Sequence, residues 1–235
     1  MGMRKILIFT LCLLAALPRL PATAQAAQPE KVIYLTFDDG PGPYTERLLD
    51  VLAQHNAHAT FFLVNTGYRM DALLNRMVQE GHGVGIHSLS HDFRVIYSSE
   101  EAFWADLRGM QELIREKTGV ETNLMRFPGG SSNTISRRSQ GIMSRLTRQV
   151  TEAGFCYFDW NVDSGDAWGC ADEEAIYRNV IGGIRGKTTA VVLQHDIHAH
   201  SVRVVERILQ WGEANGYRFL ALTADSPCCH HRVQN

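Results

Sequence analysis

Several features that would assign this chain to a special class are absent from it. After the first 24 residues no apolar run reaches the roughly 18 residues that a membrane-spanning helix needs. Basic residues are not clustered, and 23 Lys and Arg against 25 Asp and Glu leave a net charge of −2, so the electrostatic footprint of a nucleic-acid binder is lacking. No Gly-x-Gly-x-x-Gly follows the first strand-like segment, which argues against dinucleotide binding. No Gly-x-Ser-x-Gly elbow is present, which argues against a serine hydrolase. Low-complexity and linker-like stretches are also lacking, and 45% hydrophobic with 20% charged residues excludes disordered, collagenous and coiled-coil chains.

What is present begins with a leader. Arg4 and Lys5 precede an apolar run from Ile6 to Leu17, and a proline-broken stretch ends in Ala22-Thr23-Ala24. This is the pattern of a secretory signal over residues 1–24, with a second cleavage option as late as Ala26. The expectation is an exported protein, periplasmic or extracellular, without a stable membrane anchor after cleavage. The leader holds Arg4, Lys5 and Arg19 and no acid, so the mature part has 20 basic against 25 acidic residues. Its four cysteines, Cys156, Cys170, Cys228 and Cys229, allow three pairings in an oxidising compartment. Cys156 with Cys170 is the preferred pair.

Strand-like and helix-like patterns then alternate along the mature chain. Continuous apolar segments over Val32–Phe37, Ala59–Val64, Gly83–His87, Leu124–Phe127, Phe155–Val162, Thr189–Gln194 and Tyr217–Leu222 read as buried strands. Amphipathic helices are expected over Glu46–His55, Asp71–Glu80, Ser98–Lys117, Arg145–Ala153, Glu173–Ile184 and Val202–Ala214, with Ser98 and Glu101 at capping-box spacing. Such alternation predicts a parallel sheet with helices outside, an irregular (β/α)7-type barrel occupying residues 31–225, with a doubly wound open sheet as the other candidate.

The polar residues fall in one place. Asp38, Asp39, His87, His91, Arg126, Asp163 and His195 all stand at or just beyond the C-terminal ends of expected strands, the face where a β/α barrel gathers its active site. His87 and His91, four apart, can face one ion across a helical turn or a tight loop. Two histidines with one carboxylate, here Asp39, form a common catalytic zinc set. Asp38 then remains free as a base.

Thr36-Phe37-Asp38-Asp39-Gly40, His87-Ser88-x-x-His91, Arg126-Phe127-Pro128, Asp163-x-x-Asp166 with Trp168, and Leu193-x-His195 resemble, in order, the five motifs of polysaccharide deacetylases, carbohydrate esterase family 4. The likeness runs from about Val32 to Leu222, and Arg-Phe-Pro-Gly-Gly-Ser and Asp-Trp-Asn-Val-Asp-Ser-Gly-Asp look most like the peptidoglycan-deacetylase branch. The resemblance implies removal of N-acetyl groups from amino sugars, with a divalent metal on Asp39, His87 and His91: Zn2+ by default, Co2+ or Ni2+ as alternatives. It implies Asp38 as base, His195 as acid, the Gly129 N–H as oxyanion donor and Leu193 against the acetyl methyl group. Arg126 would hold Asp38, while Asp163 would either orient His195 or pair with Arg126. Trp168 would be a groove wall, although Ala167 separates it from Asp166 where relatives have the tryptophan directly after the aspartate. Gly129 likewise replaces a common aromatic. The expected partner is a polysaccharide, peptidoglycan first, with chitin oligomers or acetylated xylan as alternatives and a non-catalytic glycan-binding protein as the competing class. Oligomeric state is not encoded legibly.

Other histidines read as structural (His55, His58, His82) or as solvated helix-start residues (His198, His200). Cys228-Cys229-His230-His231 looks like a run of metal ligands, but a short segment after Pro227 is expected to be a flexible tail over 226–235.

Overall fold

The computed structural model describes residues 30–168, with Trp168 by its backbone alone, and residues 172–235. The signal sequence expected over 1–24, Cys170 and the Trp168 side chain lie outside that set. The expected pairing of Cys156 with Cys170 therefore lies outside the described residues, among which Cys156 has no disulfide partner.

Among the described residues eight strands form one sheet: β1 Lys31–Asp38, β2 Ala59–Val64, β3 Gly83–Ser88, β4 Leu124–Met125, β5 Cys156–Tyr157, β6 Val162–Asp163, β7 Thr189–His195 and β8 Tyr217–Phe219. Every pairing is parallel, in the order β5-β4-β3-β2-β1-β7-β6, with β8 added on β1. β1 is the centre. It pairs with β7 along Val32–Asp38, while β8 pairs with its N-terminal half and β2 with its C-terminal half. Among the described residues no pairing joins β5 to β6, so the sheet curls without closing. This is the irregular (β/α)7-type barrel expected from the sequence.

The helices are α1 Thr45–Gln54, α2 Met70–Gln79, α3 Phe93–Ile96, α4 Glu100–Thr118, α5 Ile142–Glu152, α6 Glu173–Ile184 and α7 Ala199–Ala214. Successive strand residues point to opposite faces. Ile33, Leu35 and Phe37 of β1 accordingly join the large core beneath the helices, whereas Val32 and Tyr34 join a smaller cluster with Phe62, Leu124, Phe158, Val191 and Leu222. Burial on both faces explains why β1 and β2 read as continuous apolar runs rather than alternating ones.

Three local expectations are corrected. The cap of α4 is Ser99, whose hydroxyl accepts from the Ala102 N–H at 3.1 Å, and Ser98 instead donates to the Val95 carbonyl. The strand expected over Phe155–Val162 is two short strands separated by Phe158–Asn161, because the carbonyls of Phe158 and Asp159 turn inward to Arg126. Residues 226–235 are not loose: His230 stacks on Tyr157 with ring centroids 3.7 Å apart, and Asn235 accepts from Gly141 N–H at 2.8 Å. No helix among the described residues is long and apolar enough to cross a membrane.

Candidate active site

β1 and β3 deliver three groups to one point. Asp39 follows directly after β1, His87 lies in β3, and His91 follows a tight loop, not a helical turn. Buried Asp106 of α4 ties that loop by accepting from Ser88 Oγ, Leu89 N and Ser90 N at 2.7–2.9 Å. Asp39 and His91 adopt φ of 70° and 52°, a left-handed backbone that costs a non-glycine residue about 1–3 kcal/mol and tends to be kept at functional sites.

The donor atoms of Asp39, His87 and His91 all lie within 4.8 Å of one another. Asp39 Oδ1 is 3.1 Å from His91 Nε2 and 3.4 Å from His87 Nε2, yet this buried oxygen makes no hydrogen bond. His87 Nδ1 lies 2.9 Å from the Arg126 carbonyl. A carbonyl only accepts, so Nδ1 carries the proton and Nε2 presents its lone pair to the cluster, the arrangement usual for metal-ligating histidines. Burial lowers the pKa of His87 and keeps the ring neutral despite the nearby Asp38 and Asp39. Burial acts to raise the pKa of Asp39, but the neighbouring imidazoles of His91, His87 and His195 outweigh it and hold the carboxylate ionised. An orphaned carboxylate oxygen facing two imidazole nitrogens fits a divalent cation.

Asp38 is held apart from this set. Its Oδ1 accepts from Arg126 Nη1 at 2.8 Å, and its Oδ2 is 3.9 Å from His87 Nε2. Arg126 is fully buried against the Phe62 ring, with its guanidinium 4.3 Å from the centroid. The same guanidinium donates to Thr36 Oγ1 and to the carbonyls of Phe158 and Asp159 at 2.7–2.9 Å.

His195 sits opposite Asp38 in the β1–β7 register. Its Nδ1 and backbone N–H both reach Asp166, at 2.8 and 2.7 Å. Asp163, expected to orient His195 or pair with Arg126, does neither: it lines the cavity, and its Oδ1 accepts from the Gly165 N–H at 2.8 Å. The chain turns after β6, and this turn brings Asp166, three residues on, beneath the imidazole. Burial disfavours the His195 cation, but the Asp166 hydrogen bond and the charges of Asp166, Asp38 and Asp39 outweigh it, raising the pKa to about 9.

These groups face one cavity of about 250 Å3, lined by Asp38, Asp39, His87, His91, Gly129 and His195, with Asp163, Leu193, Phe93 and Trp160 completing the wall. Comparisons with known proteins point to one family. The family profile named polysaccharide deacetylase matches residues 25–147. A peptidoglycan-N-acetylglucosamine deacetylase of Bacillus cereus is 39% identical over 203 residues, 83% of this chain and 71% of the relative. The chain belongs to the polysaccharide deacetylase family. Among solved structures, the catalytic domain of a peptidoglycan N-acetylglucosamine deacetylase from Eubacterium rectale superposes with a TM-score of 0.86 at 51% identity, covering 91% of this chain and 99% of that one. A polysaccharide deacetylase from Bacillus cereus superposes at 0.75 with 38% identity, covering 84% and 95%.

The deacetylase cavity contains groups that motif reading passed over. Phe93 and Trp160 supply aromatic walls, while the Trp168 side chain, expected in that role, is outside the described residues. Phe93 could have been suspected from its place two residues after His91, whereas Trp160, although it stands in the Asp-Trp-Asn-Val-Asp-Ser-Gly-Asp stretch, gains no role from the sequence because its segment reads as plain strand. Asp196 is fully buried behind the Asp39-Gly40 turn, and burial raises its pKa to about 7. Thr45 donates to its Oδ2 and in turn accepts from the Gly42 N–H at 2.7 Å. A Cβ on Gly40 would fall 2.2 Å from Asp196 Oδ1, so Gly40→Ala must displace one of two packed segments. The expected cost is about 1–3 kcal/mol, measurable by denaturant unfolding; an unchanged midpoint would contradict the packing described.

Proposed function

We propose that this protein hydrolyses N-acetyl groups from the amino sugars of peptidoglycan, using a divalent cation, zinc by default, held by Asp39, His87 and His91. The observation that carries the reading is the juxtaposition in one cavity of a cation-ready cluster, a carboxylate outside it and an Asp166-paired imidazole opposite. A bound cation would supply Lewis acidity and a more acidic water.

Asp38, fixed by Arg126, takes a proton from the attacking water. Water oxygen bonds to the acetyl carbon as the carbonyl oxygen gains charge, and the Gly129 N–H, which has no acceptor among the described residues, donates to that oxygen. An amine leaves poorly as an anion, so the nitrogen must be protonated as the C–N bond breaks. His195 gives this proton from Nε2, since Nδ1–H is engaged with Asp166. The products are acetate and a free amine. Leu193 packs against the acetyl methyl group, and Phe93 and Trp160 flank the sugar. The leader over residues 1–24 supports export to the compartment where peptidoglycan lies.

Acetate release from peptidoglycan, chitin oligomers and acetylated xylan tests the proposal. Turnover on peptidoglycan is expected to stop with chelator and return with zinc. Preference for xylan would overturn the substrate assignment, and turnover indifferent to chelator would overturn the cation.

The acid has a pH signature. His195 works protonated, so kcat/KM should fall as pH rises through its pKa. A cation offsets the charge of Asp39, which places this limb at or below pH 9. Asp166→Asn removes the partner charge that raises the pKa and should move the limb to lower pH; a limb that stays in place would remove Asp166 from the account.

A further inference from the structure

The Gly129 amide and the Trp160 wall belong to two loops, 127–131 after β4 and 158–161 after β5. Backbone turns hold these loops in part, as do Tyr97 Oη donating to the Pro128 carbonyl at 2.8 Å and Arg126 on the Phe158 and Asp159 carbonyls; a further set of ties meets at one buried acid and at residues 229–231. Asp159 is fully buried. Its Oδ1 accepts from the Ser131 N–H at 2.8 Å, and its Oδ2 accepts from Ser131 Oγ at 2.5 Å and from the His231 N–H at 2.7 Å. The Asp159 N–H donates to the Cys229 carbonyl at 2.7 Å.

The His231 ring closes the lattice. Its Nε2 is 2.7 Å from the Trp160 carbonyl and its Nδ1 is 3.2 Å from Ser132 Oγ. The carbonyl can only accept, so Nε2 carries the proton and Nδ1 accepts from the serine hydroxyl. Both nitrogens of a neutral imidazole are thereby satisfied. The ring also stands edge-on to the Trp160 indole, centroids 4.6 Å apart at 76°. On either side the segment is anchored by His230 on Tyr157 and by Asn235, whose amide donates to Ser136 O at 2.9 Å.

We propose that Asp159 and His231 are positioning residues for the hydrolysis, and that residues 226–235 act as a strap holding the Gly129 donor and the Trp160 wall over the reacting centre. The inference rests on the deacetylase mechanism above and adds to it a segment remote in sequence from every motif. Cys229 packs against the small cluster that includes Val32 and Tyr34 of β1, but the hydrogen bonds of the strap go to the loops after β4 and β5 and to residues 136–144, so it acts on the donor side of the cavity and not on the cation cluster. Since an oxyanion donor acts mainly in the transition state, displacing it lowers kcat more than it raises KM.

Three variants, His231→Ala, His231→Gln and Asp159→Asn, test this by kinetics of acetate release, zinc titration and hydrogen exchange at residues 129–131. His231→Ala is expected to lose at least about tenfold in kcat, the scale of a small misplacement of reacting groups, with one equivalent of zinc still bound. Glutamine offers one donor and one acceptor, so His231→Gln should recover most of the loss. Asp159→Asn should resemble His231→Ala, because three donors converge on a carboxylate that the amide replaces with a single acceptor oxygen. Faster exchange at residues 129–131 with β1 and β7 unchanged is expected, and this reading does not depend on turnover. The strap is overturned if His231→Ala keeps wild-type kcat, if its exchange is unchanged, or if zinc binding falls in step with kcat. An inactive wild-type protein would count against the mechanism instead, while the exchange data would still decide whether the strap orders the loop.

Discussion

Asp38→Asn is expected to abolish turnover while leaving cation binding and folding intact. The amide is nearly isosteric and can still accept from Arg126 Nη1, which lies 2.8 Å from Oδ1 in the wild type, but it cannot take a proton from water. General-base catalysis typically contributes about 10^2–10^4-fold, and a loss of that size in kcat is the expected reading. Asp39, His87 and His91 are untouched by the change, so zinc titration should still give one equivalent. Wild-type turnover by Asp38→Asn would show that another group accepts the proton. Loss of zinc together with activity would show that Asp38 belongs to the cation cluster, contrary to the 3.9 Å separating its Oδ2 from His87 Nε2.

Arg126→Met should have the largest effect on stability. Arg126 has no solvent exposure and joins four acceptors: Asp38, Thr36 and the carbonyls of Phe158 and Asp159. A methionine fills much of the volume but leaves Asp38 as an uncompensated buried charge and strips two carbonyls of their donor. Removing one partner of a buried ion pair costs about 3–5 kcal/mol, or roughly 6–20 °C in Tm for a domain of this size. Differential scanning calorimetry measures it directly, and a Tm within about 2 °C of wild type would mean that the pair is not structurally important. Arg126→Lys is not a mild substitute, since a single ammonium on a flexible stem cannot span the fork of acceptors.

The parts of this architecture legible in the sequence share one cause. β1, β2 and β7 are buried on both faces, so their composition announces them, and a barrel places whatever follows such strands on one rim. Asp39, His87 and His91 are therefore both locatable and mutually close by topology alone. The parts that were not legible depend on backbone turning at single residues. Asp163 was expected to serve His195 because it ends an expected strand, yet the turn at Gly165, φ 75°, is what carries Asp166 there instead. Phe158–Asn161 looked like continuous strand because apolar and aromatic composition does not reveal that two carbonyls leave the ladder for a buried guanidinium. Residues 226–235 are mostly polar and carry Pro227 near their start, a composition that usually marks a loose segment. Their order comes from long-range partners, Asp159 and Ser136 among them, which no local pattern encodes.

The central claim is that Asp39, His87 and His91 converge on a divalent cation, and zinc titration calorimetry on the metal-stripped protein tests it most directly. One equivalent should bind to the wild type, and binding at that stoichiometry should disappear in His87→Ala. A wild-type protein that binds no zinc, or a His87→Ala variant that binds it unchanged, would contradict the claim.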